Sequence, residues 1–267
     1  MILLSAEALP PEHSAQLEQL QAEIDDQPDY PSQVARAKAR WASKPARVFQ
    51  PIKQQLARLC SGNTRCVYCE DSMADEIEHM RPKDLYPEQC FQWANYVLAC
   101  GPCNGPKNNR FAILDARNQL VDVSRRRAAP PAPPPSGRHA LIDPRLENPI
   151  DFLYLDWQTF RYTPNTQDQT SELWLRARYT LDVLRLNERD ALVRGRHAAF
   201  RTYLAWVKDW HLHHHGWAGE EQQRFIESFK ALSYRGVWER MKRYPSHTPQ
   251  AAGLALLFSE APEVLGW

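Results

Sequence analysis

Both ends of the chain carry patterns of apolar and polar residues that predict helices. Residues 12–26 and 32–60 are predicted to be helical, with Pro31 and Pro45 as breaks or first-turn residues. In the last hundred residues a first stripe of apolar positions recurs at intervals of four, four and three. Residues 187–190 resemble a helix N-cap, and a second apolar stripe follows them. The two stripes are Leu173, Ala177, Leu181 and Leu184, then Leu192, Ala199, Tyr203, Trp206 and Trp210. The aromatic stripe is most simply core, and a partner-binding groove is the alternative.

The middle of the chain carries shorter runs that predict strands. Residues 77–80 and 96–99 are predicted to be two short strands, followed by a helix that opens at Pro102 and Cys103. That helix is expected to carry Asn104, Lys107 and Asn108. The segment 125–138 is predicted to be a stiff polyproline-type linker, with a ligand for a proline-binding module as the alternative. A small sheet, with a hairpin at Gln158, is predicted from residues 141–144, 152–157 and 159–163.

Composition narrows the class of protein. With 267 residues the chain is long enough to bury a substantial core. Its mean hydropathy is −0.60, and it has no apolar run of the roughly 18 residues that a membrane helix needs, so we expect no membrane segment. The first residues lack a basic region and a long apolar stretch. We therefore expect no signal peptide and a cytoplasmic location.

The net charge of +1 hides an uneven distribution of charges. Residues 1–35 carry seven acidic side chains and no Lys or Arg, whereas residues 36–65 carry eight basic side chains and no acidic one. Residues 36–65, here called the basic arm, are suited to binding along the phosphate backbone of a nucleic acid. The alternative is a solvated helix face that pairs with the acidic segment.

Four cysteines have the spacing of a zinc site. Cys66 and Cys69 form one Cys-x-x-Cys pair, and Cys100 and Cys103 form another after 30 intervening residues. Two such pairs can hold one zinc in a four-thiolate tetrahedron that has no open position, so this zinc would be structural. Cys60 and Cys90 are expected to be free thiols.

Another possible metal cluster is formed by histidines near the carboxyl end. It consists of His211, His213, His214 and His215. The segment lacks matched acidic or cysteine partners nearby, so a polar helix end or an adventitious metal binder is the simpler interpretation.

Residues between the cysteine pairs have the chemistry that phosphodiester hydrolysis requires. His79 has the side chain of a general base near neutral pH. Glu78 and the amide oxygen of Asn104 supply the oxygen ligands that Mg²⁺ or Mn²⁺ prefers. Such a cation would stabilise the negative charge that develops on the phosphate and the leaving oxygen.

The segments CVYCE, IEHMRPK and WANYVLACGPCNGPKNN resemble the HNH endonuclease superfamily. Eight residues separate Asn95 from Asn104, and three separate Asn104 from Asn108, which are the intervals used by that superfamily. The final motif residue is commonly His and is Asn104 here, so the chain is an H-N-N variant. The resemblance implies a ββα-metal fold in which Asn95 orients the catalytic His79 through its loop. Asn108 would be an additional cation ligand or a phosphate contact.

Basic residues flank this motif. Arg81, Lys83 and Arg110 are candidate phosphate contacts, with solvated loop residues as the alternative. Lys107 matches the lysine that often follows the last metal-binding position in the superfamily, and we group it with the candidate nucleic-acid contacts.

A second resemblance covers more of the chain. IDPRLENP at 142–149 and RARYTLDVLRLNERDALVRGR at 176–196 resemble the longer HNH proteins of bacterial anti-phage systems, including the Septu-type nuclease subunit and retron-associated relatives. Those proteins typically work beside an ABC/SMC-like ATPase. The resemblance therefore implies a role in defence and an ATPase partner encoded nearby.

These observations predict an α+β, predominantly helical protein with a zinc-clamped ββα-metal core. The expected parts are an N-terminal helical arm (1–60), the nuclease core (61–115), an Arg/Pro-rich linker (116–140), and a small β element with a C-terminal helical region (141–267). The expected function is DNA hydrolysis. The alternatives are a non-catalytic zinc-stabilised nucleic-acid-binding or assembly subunit, and an RNA-cleaving nuclease.

Overall fold

The amino-terminal part is helical in the computed structural model, which describes residues 1–60, 64–126 and 129–267. Its helices are α1 (Pro11–Asp25), α2 (Tyr30–Ala42) and α3 (Ala46–Leu59). The Asp29 carboxylate caps α2 by accepting a hydrogen bond from the Ser32 amide at 2.8 Å. Pro31 lies in the first turn of α2, and Pro45 directly precedes α3. The predicted roles of both prolines are confirmed: Pro31 is a first-turn residue, and Pro45 is a break that divides the predicted helix 32–60 into α2 and α3.

Two short strands and a helix lie in the centre of the sequence. β1 (Glu76–His79) pairs with β2 (Tyr96–Ala99) in antiparallel register, and α4 (Gly101–Lys107) follows β2. β1 begins and ends one residue earlier than predicted. The prediction that this helix carries Asn108 is wrong, because Asn108 adopts a φ of 37° and the helix ends at Lys107.

Two small sheets follow. β3 (Ala112–Leu114) lies between β4 (Leu120–Asp122) and β5 (Arg138–His139) in the first sheet. After the short helix α5 (Pro149–Phe152), strands β6 (Leu153–Leu155) and β7 (Tyr162–Pro164) form a hairpin. The predicted hairpin at Gln158 is confirmed, because residues 156–161 connect these strands.

The predicted strand at 141–144 is wrong. The Ile142 amide donates to the Thr180 hydroxyl at 3.0 Å, and the Asp143 carboxylate accepts from the Arg145 amide at 2.9 Å. A turn and side-chain acceptors therefore satisfy this backbone instead of a neighbouring strand.

The carboxyl-terminal part is helical, as predicted. It contains α6 (Glu172–Leu184), α7 (Asp190–His213), α8 (Gly219–Lys230), α9 (Arg235–Arg243) and α10 (Ala251–Glu260). The predicted cap at Asn187 is wrong. Its side chain instead accepts from the Tyr162 amide at 2.9 Å and donates to the Tyr162 carbonyl at 2.7 Å, so it ties the β6–β7 hairpin to the start of α7.

The aromatic residues of the carboxyl-terminal helices lie in the core. Trp238 is fully buried, Trp210 is 3% exposed, and Tyr203 stacks on Trp238 with ring centroids 5.6 Å apart. The aromatic stripe is therefore core, and the alternative of an open partner-binding groove is not supported. Within the described residues, no helix is long and apolar enough to cross a membrane.

A contact between Tyr234 and Asp71 holds the segment that follows the first cysteine pair. The Tyr234 hydroxyl donates to the Asp71 carboxylate at 2.8 Å, next to the chain that carries Cys69. Gly195 in α7 leaves room for that hydroxyl, since a Cβ at residue 195 would lie 2.1 Å from the Tyr234 oxygen.

We therefore expect Gly195→Ala to destabilise the protein, although alanine favours helices. The clash should lower the free energy of unfolding by roughly 1–3 kcal/mol, measured by denaturant titration. Gly253→Ala in α10 is the matched control, because a Cβ there meets no atom within 4 Å. It should raise stability by up to about 1 kcal/mol. Equal effects of the two substitutions would contradict this account.

Candidate metal centre and active-site cleft

The four predicted zinc ligands come together at one buried point. Cys66 and Cys69 lie in a turn before β1, in which the Glu70 amide donates to the Cys66 carbonyl at 2.8 Å. Cys100 directly precedes α4, and Cys103 lies in its first turn. The four sulfurs all lie within 4.8 Å of one another, and all four residues are buried.

This arrangement fits a tetrahedral zinc ion. Zn–S bonds of about 2.3 Å place the sulfurs of a tetrahedral site about 3.8 Å apart. The sulfurs of Cys69 and Cys100 are 3.8 Å apart, and all four cysteines are free of disulfide bonds. The predicted cysteine cluster is therefore confirmed as a site that can hold zinc. Cys60 and Cys90 lie outside it as free thiols, and burial raises the pKa of each to about 12.

The carboxyl-terminal helices contribute a further contact to this centre. Arg189, immediately before α7, donates from its guanidinium to the Cys103 sulfur at 3.1 Å. A cation beside a metal-binding sulfur stabilises its thiolate form. Sequence inspection assigned no role to Arg189, because nothing in its spacing from Cys103 signals the contact.

A small polar cleft adjoins the cysteine centre and is lined by five of the other predicted site residues. Its volume is about 100 Å³. It is lined by Trp41, Ile77, Glu78, His79, Pro82, Lys83, Asn104, Asn108 and Asn109. Four residues predicted from the motif spacing thus surround one cavity, together with Trp41, which sequence inspection missed as a site residue.

His79 is held as a neutral imidazole. Its Nε2 lies 2.9 Å from the Cys90 carbonyl oxygen. Because a carbonyl can only accept, Nε2 carries the proton and Nδ1 is left unprotonated. Burial lowers the pKa of His79 to about 3, and the Lys83 ammonium adds to this effect. The Trp41 ring fixes the imidazole from one side at a centroid distance of 4.2 Å.

Asn95 acts on the loop that carries the cleft rather than on the cleft itself. Its side-chain oxygen accepts from the Arg81 amide at 2.7 Å, and its Nδ2 donates to the carbonyls of Arg81 and Gln89 at 3.0 and 2.9 Å. It is 4% exposed and does not line the cleft. Asn95 thus binds the backbone of this loop, and its grouping with His79 as a catalytic residue that orients the base through the loop stays a prediction.

Glu78 and Lys107 form a buried ion pair. The Lys107 ammonium contacts the Glu78 carboxylate and also donates to the His79 carbonyl at 2.7 Å. Lys107 is 0% exposed. The prediction that Lys107 contacts nucleic acid is wrong for this structure, because a fully buried ammonium cannot reach a phosphate. Burial raises the pKa of Glu78, while the neighbouring Lys107 ammonium opposes that shift.

The two other predicted cation ligands lie at the opening of the cleft. Asn104 is partly exposed, and its Nδ2 donates to the Glu76 carboxylate at 2.6 Å, which leaves its Oδ1 as the acceptor atom. Asn108 is exposed at the end of α4. Both line the same cleft as Glu78.

The flanking basic residues differ in their positions. Lys83 lines the cleft and lies 6.0 Å from the Trp41 ring. The Arg81 guanidinium lies 5.5 Å from the Tyr86 ring, whereas Arg110 is exposed beyond α4. Of these three residues, Lys83 is thus the one that lines the cleft together with His79.

The basic arm at 36–65 divides into two parts. Arg36 and Arg40 pair with Glu23, and Lys38 pairs with Asp84. Lys44 and Lys53 instead line a groove next to the cleft. Pairing with carboxylates therefore accounts for the first part of the arm but not for the second, and Arg36 and Arg40 pair with the acidic segment itself.

The fold and the site define a predominantly helical α+β protein with a buried four-cysteine metal centre. Over 144 residues the chain is 29% identical to the Septu protein PtuB of Bacillus thuringiensis. The match covers 52% of this chain and 43% of that protein, so the chain aligns with less than half of the length of its relative. No protein-family model and no solved structure matches the chain. The similarity supports the predicted relation to Septu-type proteins.

We expect loss of one cysteine of the cluster to remove zinc and to weaken the fold. Structural zinc contributes on the order of 10–16 kcal/mol of apparent binding free energy in small modules. Cys103→Ser should therefore lower the zinc content and the melting temperature together. Cys60→Ser is the control, because Cys60 lies outside the cluster. Folded wild-type protein without zinc in metal analysis would overturn this assignment.

We also expect Lys107→Met to destabilise the protein by roughly 3–5 kcal/mol, because it leaves the buried Glu78 carboxylate without its partner. Adding Glu78→Gln should restore part of the stability by removing that charge. The loss in the single variant should shrink as the pH falls, since the carboxyl with the raised pKa takes up a proton in the folded state. Denaturant unfolding at several pH values measures this, and a double variant no more stable than Lys107→Met would refute it.

Proposed function

We propose that the protein is a metal-dependent HNH endonuclease that hydrolyses phosphodiester bonds of DNA. The observation that supports this most strongly is the cleft that brings together Glu78, His79, Asn104 and Asn108. These residues come from β1 and from the end of α4, which are distant in sequence. The intervals between them resemble those of the HNH superfamily.

His79 is the proposed general base. Its neutral form, with Nδ1 unprotonated, can accept the proton of an attacking water. The Cys90 carbonyl holds the tautomer, and Trp41 holds the ring plane. A phosphate in the cleft would raise the pKa of His79, because its negative charge favours the imidazolium that forms during proton transfer.

Glu78, Asn104 and Asn108 are the proposed residues for a catalytic Mg²⁺ or Mn²⁺ ion, with Asn108 at the outer edge. Their carboxylate and amide oxygens are the donors that hard cations prefer. When bound, this ion would stabilise negative charge on the phosphate. Lys107 favours the ionised form of the buried Glu78 carboxyl, and Asn95 holds the loop that carries Arg81.

The proposed setting is bacterial anti-phage defence in the cytoplasm. It rests on the similarity to a Septu protein and on the resemblance to HNH proteins of such systems. An ABC/SMC-like ATPase encoded nearby is the proposed partner, and co-purification of the two chains would test it. The net charge of +1 supports weak DNA binding by this chain alone.

The main alternative is a zinc-stabilised binding or assembly subunit without catalysis. A binding surface needs no desolvated histidine with an unprotonated nitrogen, so His79 favours the enzyme. RNA is the alternative substrate, and it would use the same residues.

We expect His79→Ala to lose about 10²–10⁴-fold in cleavage rate, as removal of a general base typically does. Plasmid, linear DNA and RNA substrates with Mg²⁺ or Mn²⁺ would be compared in a gel-based assay. The variant should retain its zinc, since His79 is not a ligand of the cysteine centre. His213→Ala, which changes an exposed histidine at the end of α7, should keep the wild-type rate. Undiminished cleavage by His79→Ala would exclude His79 as the base.

A further inference from the structure

A groove larger than the cleft runs beside it along the amino-terminal helices. Its volume is about 420 Å³, and it shares Trp41, Ile77 and Asn104 with the cleft. Its other wall is formed by α3 from Ala46 to Lys53, and Lys53 is exposed. The groove therefore leads directly to His79.

Two lysines of the groove lack carboxylate partners. Within residues 1–60, 64–126 and 129–267, neither Lys44 nor Lys53 forms an ion pair, in contrast to the arginines and the lysine earlier in the same basic arm. The Lys44 ammonium lies 4.5 Å from the Trp41 ring. Its pKa is lowered by burial and by the nearby Lys83 ammonium. A negative group near Lys44 and Lys83 would relieve the repulsion between these two ammonium groups.

Trp41 offers an aromatic surface at the junction of the groove and the cleft. It is partly exposed, lines both cavities and contacts His79. An aromatic side chain beside unpaired cations is the combination that binds unpaired nucleotides, because bases stack on the ring while cations hold the phosphates.

The opposite side of the groove is acidic. Asp75 and Glu76 line it and are exposed. Phosphates would be repelled from this side, whereas base amino groups can donate hydrogen bonds to carboxylates. The charges therefore orient a strand with its backbone toward the lysines and its base edges toward β1.

We propose that this groove binds an unpaired stretch of nucleic-acid strand, with phosphates at Lys44 and Lys53 and a base against Trp41, and guides it to His79. The inference rests on the proposed function in one respect, because it places the bond that is cut at His79. A single strand fits this geometry better than a duplex, because His79 is 5% exposed and its cleft measures about 100 Å³. In a duplex the base faces are already stacked and cannot use Trp41.

Binding tests this proposal separately from catalysis. Wild-type protein that retains zinc, without added Mg²⁺ or Mn²⁺, would be titrated against labelled single-stranded DNA, single-stranded RNA and the matching duplex by fluorescence anisotropy. Gels would confirm that the strands stay intact. We expect a single strand of either sugar type to bind about tenfold or more tightly than the duplex, and the two single-strand titrations distinguish DNA from RNA. Equal or tighter binding of the duplex would overturn the proposal.

Variants identify the surface that binds. Lys53→Gln should weaken single-strand binding and reduce the slope of log Kd against log salt by about 0.7, the value for one phosphate contact in a single strand. Arg58→Gln is the matched control, because Arg58 is an exposed basic residue of the same helix and does not line the groove. Equal losses in the two variants would refute the groove as the binding surface. If strand binding behaves as expected but no substrate is cut, the proposed nuclease function fails while the groove assignment stands.

Discussion

The burial of four cysteine sulfurs at one point is the constraint on which the rest of the site depends. β1 and β2 have four residues each, and a strand pair of this size is marginal in water on its own. The cysteine centre joins the turn before β1 to the start of α4, so it closes the chain around both strands. It thereby sets Glu78 and His79 on β1 opposite Asn104 on α4. Arg189 links the same centre to the carboxyl-terminal helices, so the large helical core supports a site that the short strands could not hold.

The second organising feature is the set of partners for polar groups buried around the cleft. Asn95 satisfies three backbone groups of the loop between the strands, and Lys107 bridges Glu78 and the His79 carbonyl. Each of these groups would be costly to bury without its partner. Beside them, the Cys90 carbonyl restricts His79 to one tautomer and the Trp41 ring restricts its orientation. The same contacts that make the interior stable therefore hold the imidazole in the neutral form that the proposed general base requires.

Most of the element types were predictable from the sequence, whereas the contacts of individual side chains were not. The prolines at 31 and 45, the paired cysteines and the apolar spacing of 173–184 are local signals, and they correctly indicated helices and a metal centre. Asn187 and the segment at 141–144 were misinterpreted because tertiary partners, Tyr162 and Thr180, satisfy their backbone and side-chain groups. For the same reason spacing placed Lys107 beside the cleft but did not reveal that its ammonium turns inward to Glu78. Trp41 was missed because it lies in a separate helix, outside the motif.

The distribution of charge shows why net charge is a poor guide to the function of this chain. Arg36, Arg40 and Lys38 lie in the same basic arm as Lys44 and Lys53, yet they are paired with carboxylates. Paired charges contribute little field at a distance, since the opposite charges nearly cancel. The potential available to a phosphate therefore comes mainly from cations without carboxylate partners. In the part of the chain that the structure describes, those cations include Lys44 and Lys53, and they lie next to the cleft that contains His79. A nearly neutral protein can in this way present a local attraction for nucleic acid at its candidate active site.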